Sequence, residues 1–219
     1  MDVIRLARTL IDIPSVTGAE GPAVDFAAAW LEEAGFHVVR QDVTPGRANL
    51  FASAGEPAGV VLCSHLDTVP PPLPGAEDET HVRGRGACDA KGSIAAMMTA
   101  GRALLAEGFR RFGILLVVGE ETDSDGARAA GKLSDGCRFI VIGEPTQNRL
   151  ALGHKGVFSL RLRTAGRAAH SAFPHLGKSA VDGLLDVLQD LRSIAWPVDP
   201  VLGASTINIG KIGGGTAEN

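Results

Sequence analysis

Four residues of the types that bind divalent cations stand just beyond apolar runs or glycine turns. They are His65 in C-S-H-L-D-T-V-P, Asp89 in G-A-C-D-A-K-G, Glu121 in V-V-G-E-E-T and Glu144 in V-I-G-E-P-T. Mixed imidazole and carboxylate donors suit zinc or cobalt, and manganese accepts a similar set. Asp67 lies two residues after His65, and side chains in an extended segment alternate with period two, so both project to one side. Its carboxylate can accept a hydrogen bond from the second imidazole nitrogen and fix the ring for a metal. Glu120 and Glu121 are adjacent like charges directly after L-L-V-V-G, which calls for a nearby cation or a proton. With a metal at Glu121, Glu120 points the other way and can pass a proton from water to a leaving amine. Hydrolysis assisted by two divalent ions is the chemistry such a set can perform.

Each motif also has a plainer reading. His65 can be a loop histidine, Asp89 an N-cap for the helix that follows, and Glu120-Glu121 the solvated start of a loop. Glu144 gains meaning only as the end of a third strand, where Pro145 biases it toward extended geometry. His170, in G-R-A-A-H-S-A-F-P-H, can donate to an oxyanion or serve as an ordinary loop residue. The glycines of G-R-G-A-C-D-A-K-G lack the spacing of a phosphate loop or a dinucleotide fingerprint.

The elements that must position these residues follow from periodicity. Val3, Leu6, Ala7, Leu10 and Ile11 repeat at helical spacing and stop before Pro14. A second helix runs from about Glu20 to Ala34, closed by Gly35. Phe36 to Asp42 and Asn49 to Ala54 read as strands, Val60 to Ser64 as a short strand buried on both faces. Prolines 70, 71, 72 and 74 predict a loop that rims a cleft. Lys91 to Ala106 is a helix ended by Gly108, Arg111 to Val118 a buried strand, Ala127 to Leu133 a short helix, and Arg138 to Ile142 a third buried strand. This alternation predicts an α/β fold with a mixed, mostly parallel sheet covered on both faces, with ligands at the strands' carboxyl ends. After about Gly153 the pattern changes: an alternating strand at Val157 to Thr164, a helix at Ser179 to Arg192, and a strand at Ser205 to Ile212.

The bulk numbers set the limits. The 219 residues are 45% hydrophobic, enough for a core, and 21 basic against 25 acidic residues leave a net charge of −4 with no nucleic-acid footprint. Cys63, Cys88 and Cys137 form no C-x-x-C pair and predict reduced, buried thiols in a cytoplasmic protein. The M-D-V-I-R-L-A-R start lacks the apolar core of a signal peptide, and no run is long enough for a membrane helix.

In this order, the motifs resemble the two-metal metallopeptidase and deacylase family that includes acetylornithine deacetylase, succinyl-diaminopimelate desuccinylase, aminoacylase and the glutamate carboxypeptidases. The likeness opens on I-P-S-V-T-G-A-E and extends through G-H-K-G and A-A-H-S. It implies a three-layer catalytic domain over residues 1–153 and, over 154–219, the start of a ferredoxin-like lid through which two copies dimerise. It implies Asp89 bridging two zinc-like ions, His65 and Glu144 completing one site and Glu121 serving the other. Glu120 matches the general base, Asp67 the carboxylate that orients His65, and His170 and Asn219 residues that reach substrate, His170 in the partner's site. A glutamate in G-E-P-T fits the deacetylase and desuccinylase side, whose substrates are N-acyl amino acids or small peptides. Members of that family continue past this point to a second metal-binding histidine. The leading expectation is a hydrolase of that kind, and the alternative is that these 219 residues are a catalytically incompetent fragment that binds at most one ion tightly and mainly dimerises.

Overall fold

The computed structural model describes residues 2–55, 57–133 and 136–216. It comprises two compact units, Met1–Arg149 and Leu150–Asn219.

The first unit opens with α1 (Val3–Asp12), where Asp2 caps the helix by accepting from the Arg5 amide at 2.9 Å. Leu6, Ala7, Leu10 and Ile11 form its buried stripe. α2 (Gly21–Glu33) carries Pro22 in its first turn and buries Val24, Ala28, Trp30 and Leu31. β1 (His37–Thr44) and β2 (Arg47–Ser53) form an antiparallel hairpin. β3 (Val60–His65), the two-residue strands β4 (Ala76–Glu77) and β5 (Val82–Arg83), α3 (Lys91–Ala106), β6 (Phe112–Val117), α4 (Asp125–Ala129) and β7 (Phe139–Ile142) follow.

The main sheet has the order β1-β2-β6-β3-β7. β2 pairs antiparallel with β1 and β6, whereas β3 lies parallel to both β6 and β7. Period-two alternation divides its side chains between two cores. Leu50, Ala52, Ile114 and Leu116 pack with the apolar stripes of α1, α2 and α3. Phe51, Val61, Leu115 and Val117 face the opposite way, toward Ala58 and Ala130. The result is a three-layer α/β unit with a mixed sheet. Because β3 and β6 run parallel in register, His65 lies opposite Val117, and both strands end on the same side.

Several expectations are corrected. β7 reads as a buried strand from its apolar sequence, but all four of its residues are exposed; among the described residues it is an edge strand paired with β3 alone. β3 is buried toward its carboxyl end only, since Val60 is exposed and Leu62 and Cys63 are half-buried. Cys88 is exposed rather than buried, and Cys63 and Cys137 are half-buried free thiols. Of the loop prolines, Pro72 and Pro74 border a cavity of about 210 Å³ with Ile11, Asp12, Thr68, Arg85 and Lys91, and His65, Asp89, Glu121 and Glu144 are not among its lining residues.

The second unit holds α5 (Ala180–Ser193), capped by the Ser179 hydroxyl accepting from the Asp182 amide, and the two-residue strands β8 (Val198–Asp199) and β9 (Gly203–Ala204). The strands expected at 157–164 and 205–212 are not formed. Alternation alone does not make a strand: neither segment finds a backbone ladder among the described residues, and Val157 and Phe158 are 94% and 83% exposed. No helix among the described residues is long and apolar enough to cross a membrane.

The contrast between β6 and β7 is directly measurable. Leu116→Ala removes a fully buried side chain and is expected to cost about 2–5 kcal/mol in urea unfolding of the 219-residue chain. Val141→Ala, at a half-exposed site, is expected to cost about 1 kcal/mol or less. Equal losses would contradict the edge position of β7.

Candidate metal centre

His65 is the last residue of β3 and is almost wholly buried. The next amide, Leu66, continues the parallel ladder by donating to the Val117 carbonyl at 2.9 Å, and the Ser15 hydroxyl holds the Leu66 carbonyl at 2.7 Å. His65 Nδ1 faces the Asp67 carbonyl oxygen at 3.0 Å and the Asp67 carboxylate at 3.5 Å. Its Nε2 lies 2.9 Å from Asp89 Oδ1 and 3.9 Å from Glu144 Oε2. Burial alone would depress this imidazole, but its bonds to Asp67 and Asp89 and the Glu144 charge outweigh that and raise it to about 9.

Asp89 comes from the glycine-rich turn before α3. It is not the N-cap: that position belongs to Ala90, without a side-chain bond, and the Asp89 carboxylate turns to His65 instead. The turn is closed by the Lys91 amide on the Gly86 carbonyl at 2.8 Å. Glu144 is placed by the Gly143 amide on the Cys63 carbonyl at 2.8 Å and by the Ser64 hydroxyl on the Gly143 carbonyl at 3.0 Å. Met97 of α3 occupies the space beside Gly143, where an added Cβ would stand 2.4 Å from its methyl group.

Asp67 organises the other side. Its carboxylate is buried, and Oδ1 accepts from the Glu120 amide at 3.0 Å. Oδ2 accepts from the Glu121 amide at 3.1 Å and the Thr17 hydroxyl at 2.7 Å. Burial would raise this carboxyl, but His65, Thr17 and the two amides prevail and hold it at about 2. The turn after β6 is thereby fixed through its backbone, which leaves both glutamate side chains to the site.

Ligand atoms of His65, Asp89 and Glu121 all lie within 4.8 Å of one another. The arrangement fits a divalent cation on three observations. Two donors each about 2.1 Å from one ion stand about 3 Å apart in octahedral geometry and about 3.4 Å apart in tetrahedral geometry, and Nε2 and the Asp89 oxygen, at 2.9 Å, lie near that range. The second imidazole nitrogen is held by Asp67, as a metal-binding histidine requires. Burial pushes the Glu121 carboxyl up, and the Asp89, Glu120 and Asp67 charges push the same way against His65. Burial likewise raises Glu144, with Asp89, Glu120 and Glu121 adding to it. Crowded carboxylates of this kind are relieved by a cation.

His170 belongs to the second unit, where it is exposed and its Nδ1 accepts from the Ala172 amide at 3.1 Å. Asn219 lies outside the described residues. The sequence reading overlooked Thr17, Glu20, Arg47, Asn49 and Asp125, which hold the site from behind. A buried glutamate is rare without a partner, but nothing in the spacing of Glu20 and Arg47 identifies them as a pair.

The mixed α/β sheet and the turn before α3 thus bring together imidazole and carboxylate donors of the kinds that divalent cations accept. The chain belongs to the peptidase family M20/M25/M40, whose model matches residues 61–209. It is 40% identical to a peptidase M20 domain-containing protein of Schizosaccharomyces pombe, over 100% of this chain and 57% of that protein. It is 35% identical to a probable carboxypeptidase of Emericella nidulans, over 99% and 59%. Among solved structures, a tripeptidase from Staphylococcus aureus superposes with a TM-score of 0.66 at 20% identity, over 99% of this chain and 62% of that one. The chain thus spans a little under three fifths of the length of the curated relatives it matches.

Asp67 has a pH signature. Its folded value of about 2 lies below the ordinary 3.8, so its stabilisation is present above pH 3.8 and lost as pH falls toward 2. That contribution is on the order of 2 kcal/mol. Asp67→Asn should be less stable at neutral pH and show a shallower loss of stability between pH 4 and 2, measured by urea unfolding. Parallel profiles for the two proteins would contradict the role given to this carboxylate.

Proposed function

We propose that the intact protein hydrolyses an amide bond of small peptides or N-acyl amino acids with the aid of two divalent cations, zinc foremost and cobalt or manganese as alternatives. The observation that carries this reading is the convergence of donors from His65, Glu121 and, in the turn before α3, Asp89 within 4.8 Å of one another. His65 and Glu144 would hold one ion and Glu121 the other, with Asp89 between them. When bound, such ions polarise a carbonyl and bring the pKa of a water toward about 7.

The protein's own groups supply the rest. The Glu120 amide is tied to Asp67, whereas its carboxylate is exposed and has no hydrogen bond or ion pair among the described residues. It is the group left to accept a proton from the attacking water and return it to the amine as the carbon–nitrogen bond breaks. Asp67 acts through His65 and through the turn, and touches no substrate. The names of the curated relatives favour a peptide bond at a chain's carboxyl end, and the glutamate in G-E-P-T favours an N-acyl amino acid; both are one amide chemistry. By the family resemblance, residues 154–219 would form a dimerising lid that brings His170 to the partner's substrate, with Asn219 near it.

The metal-loaded intact protein, assayed against N-acetyl and N-succinyl amino acids and di- and tripeptides, should release free amine from at least one class. Chelation should abolish turnover and added zinc restore it; turnover indifferent to chelation would overturn the metal-dependent reading. Glu120→Gln should retain its metal content by elemental analysis while kcat falls about 10²–10⁴-fold. Wild-type turnover in that variant would remove Glu120 from the proton transfer.

A further inference from the structure

The contacts that hold the Glu120–Glu121 turn continue past Asp67 and close into a ring. The Thr17 hydroxyl donates to Asp67, and three residues later Glu20, fully buried, accepts from the Gly18 amide at 3.0 Å. Glu20 also accepts from Arg47 Nε at 3.0 and 3.1 Å and from Nη2 at 2.9 Å. The other side of the guanidinium grips Asp125, Nη1 to Oδ2 at 2.6 Å and Nη2 to Oδ1 at 3.2 Å. Asp125 opens α4, and the intervening turn is closed by the Ser124 amide on the Gly119 carbonyl at 2.8 Å. Gly119 has φ +74°, and a Cβ there would stand 2.0 Å from Asp125 Oδ1 and 2.6 Å from Arg47 Nη2, so the Arg47–Asp125 pair packs directly on the residue before Glu120.

The same strand fastens both ends of the turn. Asn49, two residues after Arg47, accepts from the Val118 amide at 3.1 Å and donates to the Gly126 carbonyl at 2.8 Å. Segment 118–126 is thus held at its ends by β2 and at its middle by Asp67.

We infer that Arg47, gripping Glu20 and Asp125, is a positioning residue for the Glu120–Glu121 turn, setting where those carboxylates stand relative to His65 and Asp89 without touching either. This rests on the functional reading above. Stability alone does not call for such a group, because buried ion clusters are often replaceable by apolar residues without loss. What the guanidinium adds is a rigid planar fork that fixes two carboxylates at a set angle, which a lysine ammonium does not reproduce. A displacement of about 1 Å at a reacting group can cost about 10²-fold in rate. The Arg40–Asp25 pair joins β1 to α2 and, among the described residues, makes no hydrogen bond or ion pair with the turn, so it serves as the control.

The test uses the intact protein loaded with cobalt, far below its unfolding temperature. Arg47→Lys keeps the charge and loses the fork, Asp125→Asn leaves Arg47 on Glu20, and Arg40→Lys is the control. In both ring variants kcat should fall about 10–100-fold with KM changed less than about twofold, because only the transition state senses the displaced base. Their cobalt absorption bands should shift, and the control should match wild type in both readouts. Ring variants with wild-type kcat and an unshifted spectrum, whatever their unfolding temperature, overturn the inference. If Arg47→Lys does not fold, Asp125→Asn decides by the same two measurements. A wild-type protein that neither binds cobalt nor hydrolyses any substrate class overturns the functional reading itself, and this inference with it.

Discussion

A buried carboxylate is tolerated only when its oxygens are taken up by donors, and Asp67 meets that requirement with parts of three different segments. The Thr17 hydroxyl comes from the loop before α2, the Glu120 and Glu121 amides from the end of β6, and His65 from the end of β3. Satisfying one charge therefore fixes the relative placement of two strand ends. The imidazole and the glutamate turn are referenced to a single residue, and the site's geometry follows from that.

The electrostatics of the site run against burial. Asp89, Glu120, Glu121 and Glu144 crowd around one histidine, and burial together with mutual repulsion raises Glu121 and Glu144. On the far side of the turn the balance is reversed: one guanidinium serves two carboxylates, and those contacts lower Asp125. The turn lies between an anion-rich face suited to a cation and a charge-paired face that anchors it.

Much of this was legible in the sequence because strand ends announce themselves. His65, Glu121 and Glu144 each follow an apolar run, and parallel strands deliver their carboxyl ends to one side. Asp89 was legible as a donor, although its plainer reading as a helix cap fails because Ala90 takes that position. The hidden part is what sequence spacing does not encode: backbone amides as donors to Asp67, and pairings such as Arg47 with Asp125, 78 positions apart. Apolar sequence also overstated burial. The F-I-V-I of β7 is exposed as an edge strand, and the alternating segment at 157–164 has no ladder to join. Composition reports what a segment can bury, whereas its neighbours decide what it does bury.

The account's central claim is that the strand ends define a cation site, and anomalous diffraction from a zinc-loaded crystal tests it most directly. A zinc peak about 2.0–2.2 Å from His65 Nε2 and from an Asp89 carboxylate oxygen, with any second peak on Glu121, is the result expected. Zinc bound elsewhere, with no peak between His65 Nε2 and the Asp89 carboxylate, would contradict it.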